Sequence, residues 1–378
     1  MTQSSIWLKI KVSKADGSNL DAGSKVGLVN YPVASLFNQV DVMLGGKLIS
    51  SSTNTYAYRS IIEILLNYGI EAQHSQLTSG LFYKDTAGQM EQMDVTADPV
   101  LNKGLEARTE WSKTSQIVEL QGRVHADLFN QERLILNGVD INVKFHRHKT
   151  EFVLLSADAS PAYKLSILDA ILYIKKVRIA SSPLNAINTV LADSTVKYPI
   201  KRVTPKVFTI PAGQQSHNID NAFLGEIPKR LVICMIDNDS YNGHYKKNPF
   251  NFQHYHLSQI GIFVNGEETP AKPLKLDFAT KQFISAYNTL FSGIGTLHLN
   301  SGNNISREEY SNGYSLFVFD LTPFENGDHF DLKKNGSLNI ELVFKNPLVA
   351  TINVVVYAEY DAVIEIDSNR NVIKDFYS

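Results

Sequence analysis

The sequence lacks the means for several kinds of chemistry. It has one cysteine, Cys234, in 378 residues, so no disulfide framework can form within the chain. That cysteine lies inside "LVICMI", where a buried, inert thiol on a strand is the expected state. No apolar run approaches the ~20 residues that a membrane helix needs, and "MTQSSIWLKIKV" has no charged region followed by an apolar one. These features predict a soluble, intracellular protein without a membrane span. Met1 stands a few residues before strand-like sequence, as though the chain starts inside structure, and a missing N-terminal segment is kept open as an expectation. The formal charge of −2 gives no global attraction to phosphate, which disfavours direct binding of nucleic acid through the overall field. P-loop, nucleophile-elbow, dinucleotide-binding glycine and CxxC patterns are all missing.

Strand patterns are plentiful. Runs such as "IWLKIKV", "LFNQVDVML", "SQIVELQGRV", "VDINVKF", "ILYIKKVRI", "RLVICMI", "LSQIGIFV", "YSLFVFDL" and "SLNIELVF" alternate or are continuously apolar, and Gly, Asn-Gly or Pro bounds them. This is the pattern of an all-β sandwich or barrel. "NPLVATINVVVYAEYDAVIEID" (346–367) reads as a long strand covered on both faces from Ala350 to Ala362. Two segments follow helical spacing instead. Tyr58, Ile61, Ile62, Leu65 and Leu66 recur after Ser/Thr/Asn caps, with Gly69 as the stop. Phe283, Ala286, Tyr287, Leu290 and Phe291 repeat the pattern, with Asp277 as the cap and Gly293 as the stop.

Each helix follows a hairpin-like stretch, around Gly46 and Gly266, and each half later places an Asn-Gly pair, Asn137-Gly138 or Asn335-Gly336, before an alternating strand. The pattern predicts one fold built twice: two tandem eight-stranded jelly rolls, each with a short helix after a strand hairpin. Pro183, Pro199 and Pro205 mark the linker, so the expected domains are 1–203 and 204–378.

Candidate sites are few. His146, His148 and Glu151 in "FHRHKTE" resemble the metal-binding HxH and Glu of cupins, but alternation places His146 with Asp140, Asn142 and Lys144, away from the apolar face. A solvated or subunit-facing pair is favoured. His254 and His256 lack a carboxylate at ligand spacing. Lys246 and Lys247 among Tyr241, Tyr245, Phe250, Phe252 and Tyr255 could stack on single-stranded nucleic acid, but a rigid aromatic loop against a neighbouring subunit is favoured. Glu359 and Asp361 share a strand face as a glycosidase pair would, though acidic residues so placed are more often the solvated face of a strand. The sequons at Asn304 and Asn335 carry little meaning without a secretory signal. No catalytic, cofactor or metal residues are assigned.

Most of the chain resembles a known family. "VNYPVASLFNQVDVMLGGKLISSSTNTYAYRSIIEILLNYG", "SQLTSGLFYKDTAGQM", "FLGEIPKRLVICMIDNDSYNGHYKKNPFNFQHYHLSQIGIFVNGE", "YSLFVFDLTP" and the long C-terminal strand are similar to the double jelly-roll, hexon-like major capsid proteins of Polinton, adintovirus and adenovirus-like elements. The resemblance implies a structural subunit that forms pseudo-hexagonal homotrimers in an icosahedral virion. Contacts to further capsomers and to a penton or minor capsid protein, and the lack of a cofactor and of catalytic residues, are implied by the same resemblance. It also implies that residues 70–113 form a tower or trimer contact, and that relatives carry an additional segment before "IWLKIKV". A bicupin-type metal-dependent enzyme is the alternative, and a carbohydrate-binding sandwich ranks third.

Overall fold

The computed structural model describes residues 4–270, 272–300, 302–322 and 335–376. Its second half shows how the alternating segments are wired. Eight main strands follow one another: Val196–Ile210, Ser216–Glu226, Arg230–Asp237, Leu257–Val264, Glu267–Glu268, Phe317–Asp320, Asn335–Phe344 and Ile352–Ile366. The first pairs with the last, the second with the seventh, the third with the sixth and the fourth with the fifth, all antiparallel. That is one long hairpin. It is rolled over so that the eighth strand also meets the third, and the seventh meets the fourth. Two facing sheets result, and this nested pairing is a jelly roll.

Among the described residues the first half repeats six of these eight strands. Ser5–Lys14 lies between Ile117–Arg123 and Tyr163–Tyr173, as Arg230–Asp237 lies between Phe317–Asp320 and Ile352–Ile366. Phe37–Leu44 pairs with Ile141–Arg147, as Leu257–Val264 pairs with Asn335–Phe344. Even an irregularity is shared, since the register slips between Phe37 and Gln39 and again between Leu257 and Gln259. Both strands then turn through positive-φ residues, Gly45-Gly46 and Asn265-Gly266, into a two-residue strand, Lys47–Leu48 or Glu267–Glu268. A short pair, Val26–Leu28 with Leu154–Ser156, is added in the first half. The all-β double jelly roll expected from the sequence is therefore present.

The helices form where spacing put them, at Tyr56–Asn67 and Ile284–Ser292, with Ile61, Ile62, Leu65, Ala286 and Leu290 all at most 2% exposed. Their ends differ from expectation. Tyr68 turns extended and ends the first helix, while Gly69 has φ −78° and starts the next short helix. Asp277 is too far upstream to cap the second helix. It holds its own turn by accepting the Ala279 and Thr280 N–H groups, and Phe283 is the N-cap residue. Asn137-Gly138 forms a turn, whereas Asn335-Gly336 already pairs with Glu226 and Gly225 as the start of a strand.

The stretch read as linker is ordered. Residues Ser181–Asp193 form a helix with only Leu191 buried. Val203 lies mid-way along Val196–Ile210, whose whole length pairs with Ile352–Ile366. Pro199 and Pro205 fit there because, among the described residues, this strand has a strand partner on one side only, so their missing N–H groups, on the same parity, can face away from the ladder. Ile352–Ile366, with neighbours on both sides, is buried from Ile352 through Ala358. One contiguous apolar core runs through both halves.

Candidate assembly surface

The two sandwiches are joined by buried polar contacts that no local pattern announces. Within residues 70–113, Gln73 and the stretch 84–91 reach the second half, while the helix Lys103–Ser112 packs against Val26–Leu28 of the first. The helix Lys103–Ser112 starts at Asn102, whose side chain accepts the Leu105 N–H at 3.3 Å. It carries Arg108, fully buried, which donates to the Leu28 carbonyl (2.8 Å), the Tyr83 carbonyl (2.5 Å) and the Asp85 carboxylate (2.7 Å). The other Asp85 oxygen accepts the Asn248 side-chain amide at 3.1 Å, and the Asp85 carbonyl accepts the Tyr314 hydroxyl at 2.7 Å. Asn248 and Tyr314 belong to the second sandwich. Glu91 adds hydrogen bonds from Asn251 (2.7 Å) and the Asn248 N–H (3.2 Å), and burial raises its carboxyl above the usual range. Lys84 meets Glu309 at 2.7 Å and also donates to the Asn304 carbonyl. Buried charges persist only when so paired and hydrogen-bonded.

A second buried cluster holds the first helix to the same junction. Arg59 donates to Glu63 (2.8 Å) and Asp127 (2.6 Å), His125 Nδ1 meets Glu63 at 2.7 Å, and Asp127 accepts the Val203 N–H at 3.3 Å. Burial opposes the Glu63 charge, but the Arg59 guanidinium and the His125 contact hold its carboxyl at about 2. In Asp127 burial wins over Arg59 and raises the carboxyl.

The outer face of the Ser5–Lys14 sheet in the first sandwich carries exposed apolar side chains. Directly paired residues share a sheet face, so the register writes it in rows: Arg123–Ser5–Tyr173, Gln121–Trp7–Ile171, then Glu119–Lys9–Asp169. Apolar side chains thus flank a charged row in which Lys9 and Glu119 stand 3.6 Å apart. Ile171 is 39% and Tyr173 48% exposed, and Leu168, Val177, Ile179 and Val190 are exposed elsewhere along residues 163–193. Exposed apolar side chains mark interaction sites where they gather into a patch.

The residues singled out from sequence fall elsewhere. His146 faces outward as alternation requires and bonds Asp41 at 2.8 Å. His148 is past the strand end, stacked on Phe152 with ring centroids 3.6 Å apart, and Glu151 is exposed. His254 stacks on Phe278 at 3.9 Å, whereas His256 is exposed. In both stacked histidines Nδ1 accepts a backbone N–H, from Lys149 or His256, and burial holds the imidazole down at about 4. Among the described residues no three His, Cys, Asp or Glu side chains cluster as metal ligands would.

The aromatic loop packs on its own chain rather than presenting rings to solvent. Tyr241 stacks on Tyr58 at 5.5 Å, Phe250 meets Tyr58 and Phe152 edge-on, and Phe252 is fully buried. Lys247 is held by Asp237 and Asp239, each at 2.8 Å. Glu359 pairs with Lys201 (3.5 Å) and Arg230 (3.4 Å), and Asp361 pairs with Lys229, so both are ion-paired strand residues. Cys234 is fully buried, and burial pushes its thiol up. No helix among the described residues is long and apolar enough to cross a membrane.

Comparison with known proteins places this geometry. No protein-family model matches the chain. An uncharacterized protein of Caenorhabditis elegans is 26% identical over 354 residues, 92% of this chain and 81% of the relative. Among solved structures, a chain of the Sputnik virophage determined by cryo-EM superposes with a TM-score of 0.62 at 12% identity, over 99% of this chain and 82% of that one. The PBCV-1 VP54 protein, fitted into a Sputnik reconstruction, gives 0.56 at 13% identity over 99% and 89%. The Faustovirus major capsid protein gives 0.53 at 8% identity over 96% and 79%. The chain thus has the double jelly-roll fold found in viral major capsid proteins, along nearly its whole length.

Proposed function

We propose that this chain is a structural capsid subunit, not an enzyme, and that it forms pseudo-hexagonal homotrimers which tile an icosahedral virion. The observation that carries this reading is the tandem itself: two sandwiches locked together by Arg108, Asp85 and Asn248, matching over 96–99% of the chain a fold that includes a viral major capsid protein. Three copies of a fixed pair of sandwiches give a six-sided block from one gene product, and closed cyclic symmetry buries flanks such as the Trp7–Ile171–Tyr173 wall. Obligate interfaces of this type bury upwards of ~2,000 Å². Capsomer-to-capsomer contacts and a penton or minor capsid protein complete the set of partners, and we place the division between the two sandwiches near residues 194–195, ahead of Val196–Ile210.

Light scattering of the purified protein tests the proposal. Three chains of 42.2 kDa should travel together, and negative-stain images should show hexagonal blocks. A monomer that carries stoichiometric metal in each sandwich would support the bicupin alternative and end the capsid reading.

A further inference from the structure

The segment that joins the two sandwiches contributes little to either core. Residues 175–180 are all exposed, and the helix Ser181–Asp193 buries Leu191 alone, with Leu184 and Ile187 half-buried at helical spacing from it. Yet the stretch before the helix is no polar spacer. In "KKVRI" (175–179) Val177 is 44% and Ile179 42% exposed, and they are interleaved with Lys175, Lys176 and Arg178, which are exposed too. A span that only had to bridge two lobes would be served by residues that water solvates.

Charge gathers here as well. No acidic residue occurs from Ala170 to Ala192, and residues 170–206 carry seven Lys or Arg against one acid, Asp193, a net +6 in a chain whose net charge is −2. The later ones meet acids of the second sandwich: Lys197 lies 3.6 Å from Glu365, Lys201 3.5 Å from Glu359 and Arg202 2.9 Å from Glu226. A basic cluster interleaved with apolar side chains matches the surface of an anionic bilayer. There Lys and Arg meet headgroup phosphates, and Val and Ile enter the apolar layer just beneath. Nucleic acid would satisfy only the charge. Residues 174–193 contain no aromatic ring to stack on a base, and Val177 and Ile179 would stay in water.

We propose that residues 175–179 dock the protein on an anionic lipid surface, with Lys175, Lys176 and Arg178 against headgroup phosphates and Val177 and Ile179 inserted between them. The contact is peripheral and needs no membrane-spanning element. It goes beyond the capsid reading and does not depend on it, since it uses only the composition and exposure of the connecting segment.

Co-sedimentation of the purified chain with vesicles of phosphatidylcholine, alone or with a third of phosphatidylserine, tests this. Binding should appear on the anionic vesicles and fade at about 1 M salt, where the screening length is only ~3 Å. Near such a surface each Lys or Arg contributes about fivefold, so Lys175→Gln/Lys176→Gln/Arg178→Gln should bind roughly a hundredfold more weakly. Lys246→Gln/Lys272→Gln/Lys275→Gln removes the same charge from exposed sites of the second sandwich and should bind as the parent does. Val177→Ser/Ile179→Ser should weaken vesicle binding roughly tenfold and leave retention on heparin unchanged. All the substituted side chains are exposed, so each variant should melt with the parent. The proposal is overturned by equal binding to both kinds of vesicle or to neither, or by equal losses in the two charge variants. Full vesicle binding by Val177→Ser/Ile179→Ser would also overturn it, since the segment would then be a site for polyanions such as nucleic acid.

Discussion

Replacing Arg108 with methionine tests whether buried polar contacts hold the sandwiches together. Methionine keeps much of the side-chain volume but removes the three hydrogen bonds to Leu28, Tyr83 and Asp85, and leaves a carboxylate that is 3% exposed without its counter-charge. Removal of one partner from a buried pair costs about 3–5 kcal/mol, because the remaining charge stays desolvated. For a chain of this length melting as one unit, unfolding entropy of ~2.1 cal/mol/K per residue turns that loss into a Tm drop of roughly 4–6 °C. Denaturant titration and calorimetry would measure both. The double variant Arg108→Met/Asp85→Asn should recover about 1–2 kcal/mol, since it removes the stranded charge. Asn248→Ala, on the other side of the junction, should show non-additive coupling with Asp85→Asn. A loss below about 1 kcal/mol for Arg108→Met, with no coupling to Asn248, would refute the reasoning.

Gly104→Ala should weaken the same junction, because a Cβ there would stand 2.4 Å from the Lys84 carbonyl oxygen and 2.8 Å from the Asp85 nitrogen; a variant as stable as the parent in denaturant would show that the 84–85 backbone can yield. Leu65→Ala and Leu290→Ala each empty a site at most 2% exposed and should each cost ~2–5 kcal/mol by the same titration. Stability should also fall on acidification in two windows. His148 and His254, at about 4 when folded against ~6.5 unfolded, resist protonation, so their contribution is lost as pH falls from about 6.5 to 4, on the order of 1–2 kcal/mol each after allowance for partial exposure. Glu63, at about 2 against 4.5, contributes above 4.5 and loses that contribution between 4.5 and 2. Tm measured against pH should show both windows, and His148→Phe with His254→Phe should flatten the upper one.

The doubling was legible because it is written in local periodicity. "FNQVDVMLGGKL" and "LSQIGIFVNGEE" share alternation, turn and spacing, and the structure gives them the same register slip. The helices were legible for the same reason, and Thr55, from the Ser/Thr/Asn stretch, is the N-cap residue of the first; Phe283 takes that position in the second in place of Asp277, and neither makes a side-chain capping hydrogen bond. Val196–Ile210 was hidden by Pro199 and Pro205, which usually signal a break but are tolerated where a strand has only one neighbour. The junction left no trace in the pattern. Arg108, Asp85, Asn248 and Tyr314 meet across as many as 229 residues of chain, and each alone reads as an ordinary polar residue. The loop at 237–256 looked like a surface offered to others because its aromatics are dense, yet Tyr241 and Phe250 pack on Tyr58 and Phe152 of the first half, and Phe252 is fully buried.

Two lobes fixed to each other by hydrogen bonds from Asn248, Asn251 and Tyr314 to Asp85 and Glu91 behave as a stiff tile. On the capsid proposal, any curvature of a closed shell of such tiles then has to be taken up at the joints between molecules, where surface side chains can slide, and not by flexing inside a molecule. One folded shape can in this way serve both flat and bent regions of the same container.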